Sequence, residues 1–226
     1  MNILALDCAV TRISLAVKTD SRFISTTYDI GMRQSEILVP AIDEILNKAE
    51  ITPAELNASC LTIGPGSFTG LRLGISALKA LELAYNVPVY GISSLEAYAY
   101  PYKNFGLPLL SCIDANKDKF YACLTKSGQT ILKDDDYEIE KLIEAVKDLD
   151  TVIISGPDAA KLEEKLSAAL PQIKYLLPAS PSMTAEALIK ITEELIEKKA
   201  EPLKDFDGPV YLRASEAELK LNSATS

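Results

Sequence analysis

The most constraining feature of this sequence is an internal repeat with an offset of 107 residues. Leu4–Asp7 is a short apolar run that ends in an aspartate, and Leu110–Asp114 is a second run of the same kind. In each copy a short polar turn follows, and then another apolar run, Ile13–Val17 or Phe120–Leu124, predicts a returning strand. The repeat therefore predicts two lobes that begin with the same strand–Asp–turn–strand unit.

The hydrophobic pattern predicts an α/β fold with the element order βββαβαβα in the first half. Its predicted strands are Ile3–Asp7, Ile13–Val17, Arg22–Tyr28, Cys60–Ile63 and Val87–Gly91, and its predicted helices are Met32–Lys48, Phe68–Tyr85, one after Ser93 and a short one after Thr52. The second half repeats the first strand pair and adds a strand at Thr151–Ser155 and helices near Glu138–Lys147, Asp158–Ala169 and Met183–Lys199. We expect a first lobe at 1–100 and a second lobe at 101–226, with 214–226 able to pack back on the first.

Two lobes with this beginning resemble the superfamily of actin-like proteins, sugar kinases and heat-shock chaperones (the ASKHA fold), in which ATP binds between duplicated lobes. In that superfamily the first turn of each lobe reads Asp-x-Gly, and the glycine lets backbone amides approach phosphates. Here the turns read Asp7-Cys8-Ala9 and Asp114-Ala115-Asn116. Both glycines are replaced, so we expect that the chain neither hydrolyses ATP nor binds it tightly.

The residue inventory excludes several kinds of chemistry. The chain has no histidine, so an imidazole base, a histidine-ligated metal and a Ser-His-Asp triad are impossible. A net charge of -9 argues against direct binding of a nucleic-acid backbone. We predict no catalytic, cofactor-binding or metal-binding residue, and we interpret the run Asp134–Asp136 as a solvated turn before a helix.

The cysteines and the chain start bear on the compartment. No CxxC spacing occurs, and buried reduced thiols are the better interpretation; the cysteines are Cys8, Cys60, Cys112 and Cys123. The sequence enters a strand at Ile3 without a charged leader region, and no apolar stretch reaches the ~18 residues of a membrane span. We therefore expect a cytoplasmic protein that does not contact membranes.

The segment Gly64–Gly74 is rich in glycine but is neither a P-loop nor a dinucleotide fingerprint. A predicted strand precedes it and a predicted helix follows it. Within that helix small or apolar residues form one smooth face, at Gly70, Gly74, Ala77, Leu81 and Ala84. Such a face either packs against the chain's own sheet or admits a helix from another subunit, and the sequence leaves both alternatives open.

These eleven residues closely resemble the signature of the TsaB (YeaZ) family, whose members are partner subunits in the synthesis of threonylcarbamoyladenosine in tRNA. The family usually has His-Ser-Glu where this chain has Gln34-Ser35-Glu36, so we interpret position 34 as structural. Further matches to the family are Ile3–Asp7, Arg33–Glu36 with Leu38 and Pro40, Ile113–Ala115 with Phe120–Tyr121, and Pro209–Arg213.

The resemblance implies a non-catalytic subunit that binds TsaD, the enzyme that transfers threonylcarbamoyl to adenosine 37 of tRNAs reading ANN codons. It further implies the ATPase TsaE in a larger complex and only indirect contact with tRNA. The helices Met32–Lys48 and Phe68–Tyr85 are predicted to form an apolar patch that is exposed without TsaD, so we expect a homodimer when the chain is alone. A small-molecule or acyl kinase is the alternative, and it would need the missing Asp-x-Gly turns; a protease would need a base or a metal. The predicted interface residues are Ile37, Leu38, Ala41, Ile42, Ile45, Phe68, Gly70, Leu71, Gly74, Ala77, Leu78 and Leu81.

Overall fold

Two five-stranded mixed sheets form the framework of the computed structural model, which describes residues 1–31, 33–178 and 184–213. The first sheet, in the order β3-β2-β1-β4-β5, contains β1 (Ile3–Asp7), β2 (Arg12–Lys18), β3 (Phe23–Asp29), β4 (Ala58–Gly64) and β5 (Val89–Ser93). The second, in the order β10-β9-β6-β7-β8, contains β6 (Leu109–Asn116), β7 (Lys119–Lys126), β8 (Gln129–Glu138), β9 (Thr151–Ser155) and β10 (Lys174–Leu176).

The two sheets share one topology, which confirms the repeat seen in the sequence. β1 pairs antiparallel with β2 and parallel with β4. β6 pairs in the same way with β7 and β9. The outer strands also correspond. β3 pairs antiparallel with β2, as β8 does with β7, and β5 pairs parallel with β4, as β10 does with β9. The predicted α/β fold with duplicated ASKHA-like lobes and the βββαβαβα order of the first lobe are therefore confirmed.

Six α-helices flank the sheets within the described ranges. They are α1 (Gln34–Ala49), α2 (Phe68–Tyr85), α3 (Ser94–Ala99), α4 (Ile139–Val146), α5 (Ala159–Ala169) and α6 (Thr184–Glu197). Short 3-10 turns occur at Pro53–Glu55 and Tyr100–Tyr102. The helix starts predicted at Met32 and Met183 lie outside the described residues. None of the six combines the length and apolar character needed to cross a membrane.

The last helix corrects the predicted lobe boundary. α6 lies in the second half of the sequence, but its buried residues pack on the first sheet, where Leu188 joins a cluster with Ala5 and Ile92. Residues 200–213 also contact the first sheet, through backbone hydrogen bonds to Val89 and Ile63. Assigning everything after residue 100 to the second lobe is therefore wrong, since the chain returns to the first lobe after β10. The expectation for 214–226 lies outside the described residues.

The acidic run Asp134–Asp136 is not a turn before a helix, as predicted, but part of β8. Asp135 pairs with Ala122, and Asp136 pairs with Tyr121 on β7. On this edge strand Asp135 is exposed, and a charge there discourages pairing with another chain, whereas Asp134 and Asp136 are half-buried. Low strand propensity of aspartate misled the prediction, because tertiary pairing overrides propensity.

Candidate functional site

A cleft with a volume of about 850 Å³ lies between the two lobes. The first lobe lines it with residues 9–12, after β1, and with Gly66–Phe68 at the start of α2. The second lobe lines it with Ile113–Asn116, at the end of β6, and with Asp158 before α5. This is the position at which the duplicated fold would hold a nucleotide, so the chemistry of its two turns decides what the cleft can bind.

In the first turn, the amide that could face a ligand is already used. Asp7 Oδ1 accepts the Ala9 N–H at 2.9 Å and the Thr62 hydroxyl at 2.7 Å. The Ala9 carbonyl in turn accepts the Ser67 N–H at 2.6 Å. Asp7 is 3% exposed, and burial raises the pKa of its carboxyl although these hydrogen bonds oppose the shift. Asp7 itself is not among the residues that line the cleft.

The second turn repeats this arrangement. Asp114 Oδ1 accepts the Asn116 N–H at 3.0 Å, and Asp158 Oδ2 accepts the Asp114 N–H at 2.8 Å. Lys161 pairs with the other oxygen of Asp114 at 2.5 Å. In both lobes the aspartate at the end of the strand thus binds an amide of its own turn. The Ala9 and Asn116 amides therefore both donate to carboxylates of the chain itself.

The glycines of Gly64–Gly74 bring α2 close to the turn after β1. A Cβ on Gly66 would lie 2.4 Å from the Ala9 carbonyl oxygen, and one on Gly70 would lie 2.1 Å from that of Cys8. Backbone atoms at these distances leave no room for a side chain. A Cβ on Gly74 would meet side chains of the sheet at 3.4 Å or more. Of the two alternatives for this helix face, packing against the chain's own sheet is the correct one at Gly70 and Gly74.

The predicted interface residues divide into two groups. Eight are buried inside the lobe and cannot touch a partner as expected, because their side of each helix covers the sheet: Leu38, Ala41, Ile42, Ile45, Gly70, Leu71, Gly74 and Leu78. The other four are half-buried and reach the surface: Ile37, Phe68, Ala77 and Leu81. Of the twelve predicted interface residues, these four are therefore the ones that a partner could reach in this structure.

Apolar side chains that the prediction missed stand on the outer side of α1 and α2, two helices in contact with each other. Val39 on α1 is 63% exposed and Leu83 on α2 is 88% exposed. Both are apolar residues at positions where the helical period of the sequence predicts polar, exposed ones, so the sequence itself marks them as unusual. We call the solvent-facing side of these two helices, which carries Val39 and Leu83, the α1–α2 outer face.

Gln34, which stands where the family usually has histidine, is buried at the start of α1. Its side-chain amide donates to the Val10 carbonyl at 2.5 Å. The oxygen of the same amide lies beside Gly70. Gln34 thus ties α1 to the turn after β1 and to α2, a structural role that needs no titrating group.

A second cavity, of about 550 Å³, lies between α3 and the strands β7 and β8. Glu194 accepts hydrogen bonds from Lys103 at 2.7 Å and from Tyr100 at 2.6 Å at its edge. These bonds lower the pKa of Glu194 to about 2. Glu96 also lines the cavity, where burial and the charge of Asp134 raise the pKa of its carboxyl. The sequence analysis did not find this cavity.

The four cysteines are free thiols. Cys8, Cys60 and Cys112 are buried, as predicted, whereas Cys123 is only half-buried. Burial raises the pKa of Cys60 and of Cys123 to about 12. In the part of the chain that the structure describes, no three acidic, cysteine or histidine side chains are grouped as metal ligands.

The comparisons with known proteins follow the same lines. The family model described as "TsaD: tRNA N6-adenosine threonylcarbamoyltransferase" matches residues 31–218. The tRNA threonylcarbamoyladenosine biosynthesis protein TsaB of Bacillus subtilis is 27% identical over 97% of this chain and 97% of its own length. The chain belongs to the TsaB (YeaZ) family. The TsaB protein of Escherichia coli is 32% identical over 54% of this chain and 53% of its own length.

Solved structures agree on the fold of this TsaB-family chain. A Pseudomonas aeruginosa protein described as uncharacterized with similarity to peptidase YEAZ superposes with a TM-score of 0.76 at 24% identity, over 94% of this chain and 99% of that one. The activator of 2-hydroxyisocaproyl-CoA dehydratase from Clostridium difficile, solved with bound ADPNP, gives a TM-score of 0.53 at 11% identity, over 90% of this chain and 100% of that one. At these identities the likeness shows the fold alone.

Proposed function

We propose that this chain is a non-catalytic subunit of the machinery that makes threonylcarbamoyladenosine in tRNA. In this role it binds and supports a TsaD homologue, which transfers threonylcarbamoyl to adenosine 37 of tRNAs reading ANN codons. Membership of the TsaB family supports the pathway, since the Bacillus subtilis relative carries threonylcarbamoyladenosine biosynthesis in its name. The family model named for the transferase supports a relationship between the two subunits.

The observation that carries the non-catalytic role is the closure of both cleft turns by their own aspartates. Asp7 takes the Ala9 amide and Asp114 takes the Asn116 amide, so neither amide points freely at a phosphate. A chain of 226 residues without histidine also offers no imidazole for proton transfer. The same closure argues against the alternative of a small-molecule or acyl kinase, whose reaction would depend on holding nucleotide phosphates between the lobes.

The α1–α2 outer face is the proposed docking surface for TsaD. It presents Val39 and Leu83 to solvent, while Ile37, Ala77 and Leu81 on the same two helices are half-buried. Two neighbouring helices with apolar outer residues can pack against a second helix pair as in a bundle. When TsaD is absent, a second copy of the chain covers the same surface around a two-fold axis, because an isologous contact satisfies each patch with its twin. A stable contact should bury roughly 1,200–2,000 Å² in total.

The larger assembly follows from this role. The TsaE ATPase joins the complex of this chain with TsaD, and tRNA is held by the other subunits. The net charge of -9 supports an indirect contact with tRNA, because an acidic chain repels a phosphate backbone. We place the complex in the cytoplasm, where tRNA is modified.

Co-purification with a TsaD homologue from the same organism tests the docking surface. The double variant Val39→Glu with Leu83→Glu should lose the complex and should also sediment as a monomer when alone. Both side chains are exposed, so the lobe itself should stay folded. Ile131→Glu is the matched control, since Ile131 is 52% exposed but lies on β8 of the second lobe. Retention of TsaD by the double variant, or equal loss with Ile131→Glu, would refute this surface.

A further inference from the structure

Residues 200–213, which we call the strap, follow α6 and return to the first sheet at β5 and β4. The N–H of Leu203 donates to the Val89 carbonyl of β5 at 2.7 Å. Farther on, the N–H of Val210 donates to the Ile63 carbonyl of β4 at 2.7 Å. Lys79 on α2 donates to the Leu203 carbonyl at 3.0 Å. The strap is therefore anchored on the first lobe at two separate points.

An aromatic contact fixes the end of the strap to the start of α2. The ring of Tyr211 stacks on the ring of Phe68 with a centroid distance of 4.0 Å and an interplanar angle of 11°. The Arg72 side chain donates to the Tyr211 hydroxyl at 2.9 Å and places its guanidinium 4.2 Å from the centre of the Phe68 ring. Stacking and a cation over an aromatic face both favour this geometry. The Phe68 ring is therefore in contact with Tyr211 and Arg72 of its own chain.

Two residues beyond this anchor, Arg213 crosses to the second lobe. Its Nη1 donates to the Ala115 carbonyl on β6 at 3.0 Å, and its Nε lies 3.6 Å from Asp136 Oδ2 on β8. Tyr121 on β7 pairs directly with Asp136. The pKa of the Tyr121 hydroxyl is raised by burial and by the charge of Asp136, while the charge of Arg213 opposes the shift. Three neighbouring strands thus contribute to the socket that receives Arg213.

Asp136 depends on this contact electrostatically. Its side chain is 13% exposed, and its Oδ1 is buried without a hydrogen-bond partner in the described part of the chain. Among the described residues, Arg213 is the one cation at ion-pair distance from the Asp136 carboxylate. A poorly solvated carboxylate without a counter-charge is costly, so removal of Arg213 should destabilise the closed socket.

We propose that the strap is a latch that holds the two lobes together. Leu203, Val210 and Tyr211 attach it to the first lobe, and Arg213 attaches it to the second. Arg213 also lines the cleft of about 850 Å³, so release of the latch would alter the width of that cleft. The lobes also meet at an apolar cluster that contains Leu95, Tyr98 and Ile113. When Arg213 leaves Ala115 and Asp136, that cluster still joins the lobes, and the lobes can rotate about it. The Pro209–Arg213 motif thereby gains a mechanical role.

The distance between the lobes tests the latch, measured by pulsed electron spin resonance on nitroxide labels at Asn47→Cys and Asp148→Cys. Both positions are exposed, one in each lobe. The native thiols should resist labelling at neutral pH, because burial raises the pKa of each of them. Far-ultraviolet circular dichroism confirms that each labelled variant is folded.

We expect Arg213→Ala to reduce the wild-type distance population at least about twofold and to broaden the distribution, since an unlatched pair of lobes samples more angles. Arg213→Gln keeps one donor for Ala115 but loses the charge, and it serves as the second variant if Arg213→Ala does not fold. Lys204→Ala is the matched control, because it removes a positive charge from the strap without touching the second lobe. If the folded Arg213 variants superpose on the wild type, or if Lys204→Ala broadens the distribution equally, the latch does not exist.

Discussion

The carboxylate of Asp7 accepts the backbone N–H of Ala9, two residues along the chain, at 2.9 Å. The same bond recurs in the second lobe between Asp114 and Asn116 at 3.0 Å. In both lobes of the duplicated α/β fold, the amide two residues after the aspartate is therefore bound by the chain's own carboxylate. This pair of bonds supports the proposed non-catalytic role.

The first prediction concerns ATP. Because the amides of Ala9 and Asn116 donate to carboxylates of the chain, the purified protein should give no binding heat with micromolar ATP and no phosphate release. Isothermal calorimetry and a phosphate assay check this, with a P-loop ATPase as the positive control. Micromolar affinity would instead favour the kinase alternative.

The second prediction concerns Asp7 and pH. Burial raises the pKa of this carboxyl in the folded chain above its ordinary value of 3.8, so the folded state holds the proton more tightly. Stability from Asp7 is therefore fully present below pH 3.8 and declines as pH rises through the folded pKa. Asp7→Asn keeps an acceptor for Ala9 and does not ionise. The melting temperature of Asp7→Asn relative to wild type should rise from pH 3.8 upward and then level off; a difference independent of pH would show that Asp7 does not titrate as described.

The third prediction concerns Gly74 on α2. A Cβ there would make ordinary contacts at 3.4 Å with Leu61 and 3.5 Å with Leu6, so Gly74→Ala should be neutral or stabilise by up to ~1 kcal/mol through helix propensity. Gly74→Leu adds three more carbons to a packed core and should cost ~1–3 kcal/mol or more. Urea unfolding of the two variants compares these effects. Wild-type stability of Gly74→Leu would mean that this face is open to a partner after all.

The fourth prediction concerns Glu194. Its hydrogen bonds from Lys103 and Tyr100 lower its pKa to about 2 in the folded chain, against an ordinary value of 4.5. Stability from Glu194 is therefore present above pH 4.5 and lost as pH falls towards 2. Glu194→Gln should be less stable than wild type at pH 7 and approach it at low pH. Thermal melts across this range measure the effect, and parallel curves would contradict it.

The sequence predicted the architecture well and the surface poorly, for physical reasons. Alternation of apolar residues and helical periodicity report which way a side chain faces its own sheet, so β1, β9 and α2 were predicted to the residue. Contacts between distant segments leave no such period. The return of α6 to the first sheet and the crossing of Arg213 to Asp136 join residues far apart in sequence, and neither could be derived from local pattern.

The candidate interface illustrates the same limit. A smooth helix face was predicted from small residues at Gly70 and Gly74, but small residues equally allow a helix to approach its own backbone. Only the three-dimensional contact with the Cys8 carbonyl distinguishes the two. The exposed Val39 and Leu83 were visible in the sequence as apolar residues out of phase, and attention to the outer face of the helices would have found them.

The proposed support of TsaD by this chain is best tested by reconstituting tRNA modification from purified proteins. A TsaD homologue, TsaE and a source of threonylcarbamoyl-adenylate are incubated with unmodified tRNA, with and without this chain, and threonylcarbamoyladenosine is measured by mass spectrometry. We expect that omission of the chain strongly lowers the yield of threonylcarbamoyladenosine, and that the chain alone modifies no tRNA. The Val39→Glu, Leu83→Glu double variant should behave like omission, whereas Ile131→Glu should restore full activity. Full modification without the chain would contradict the proposed role.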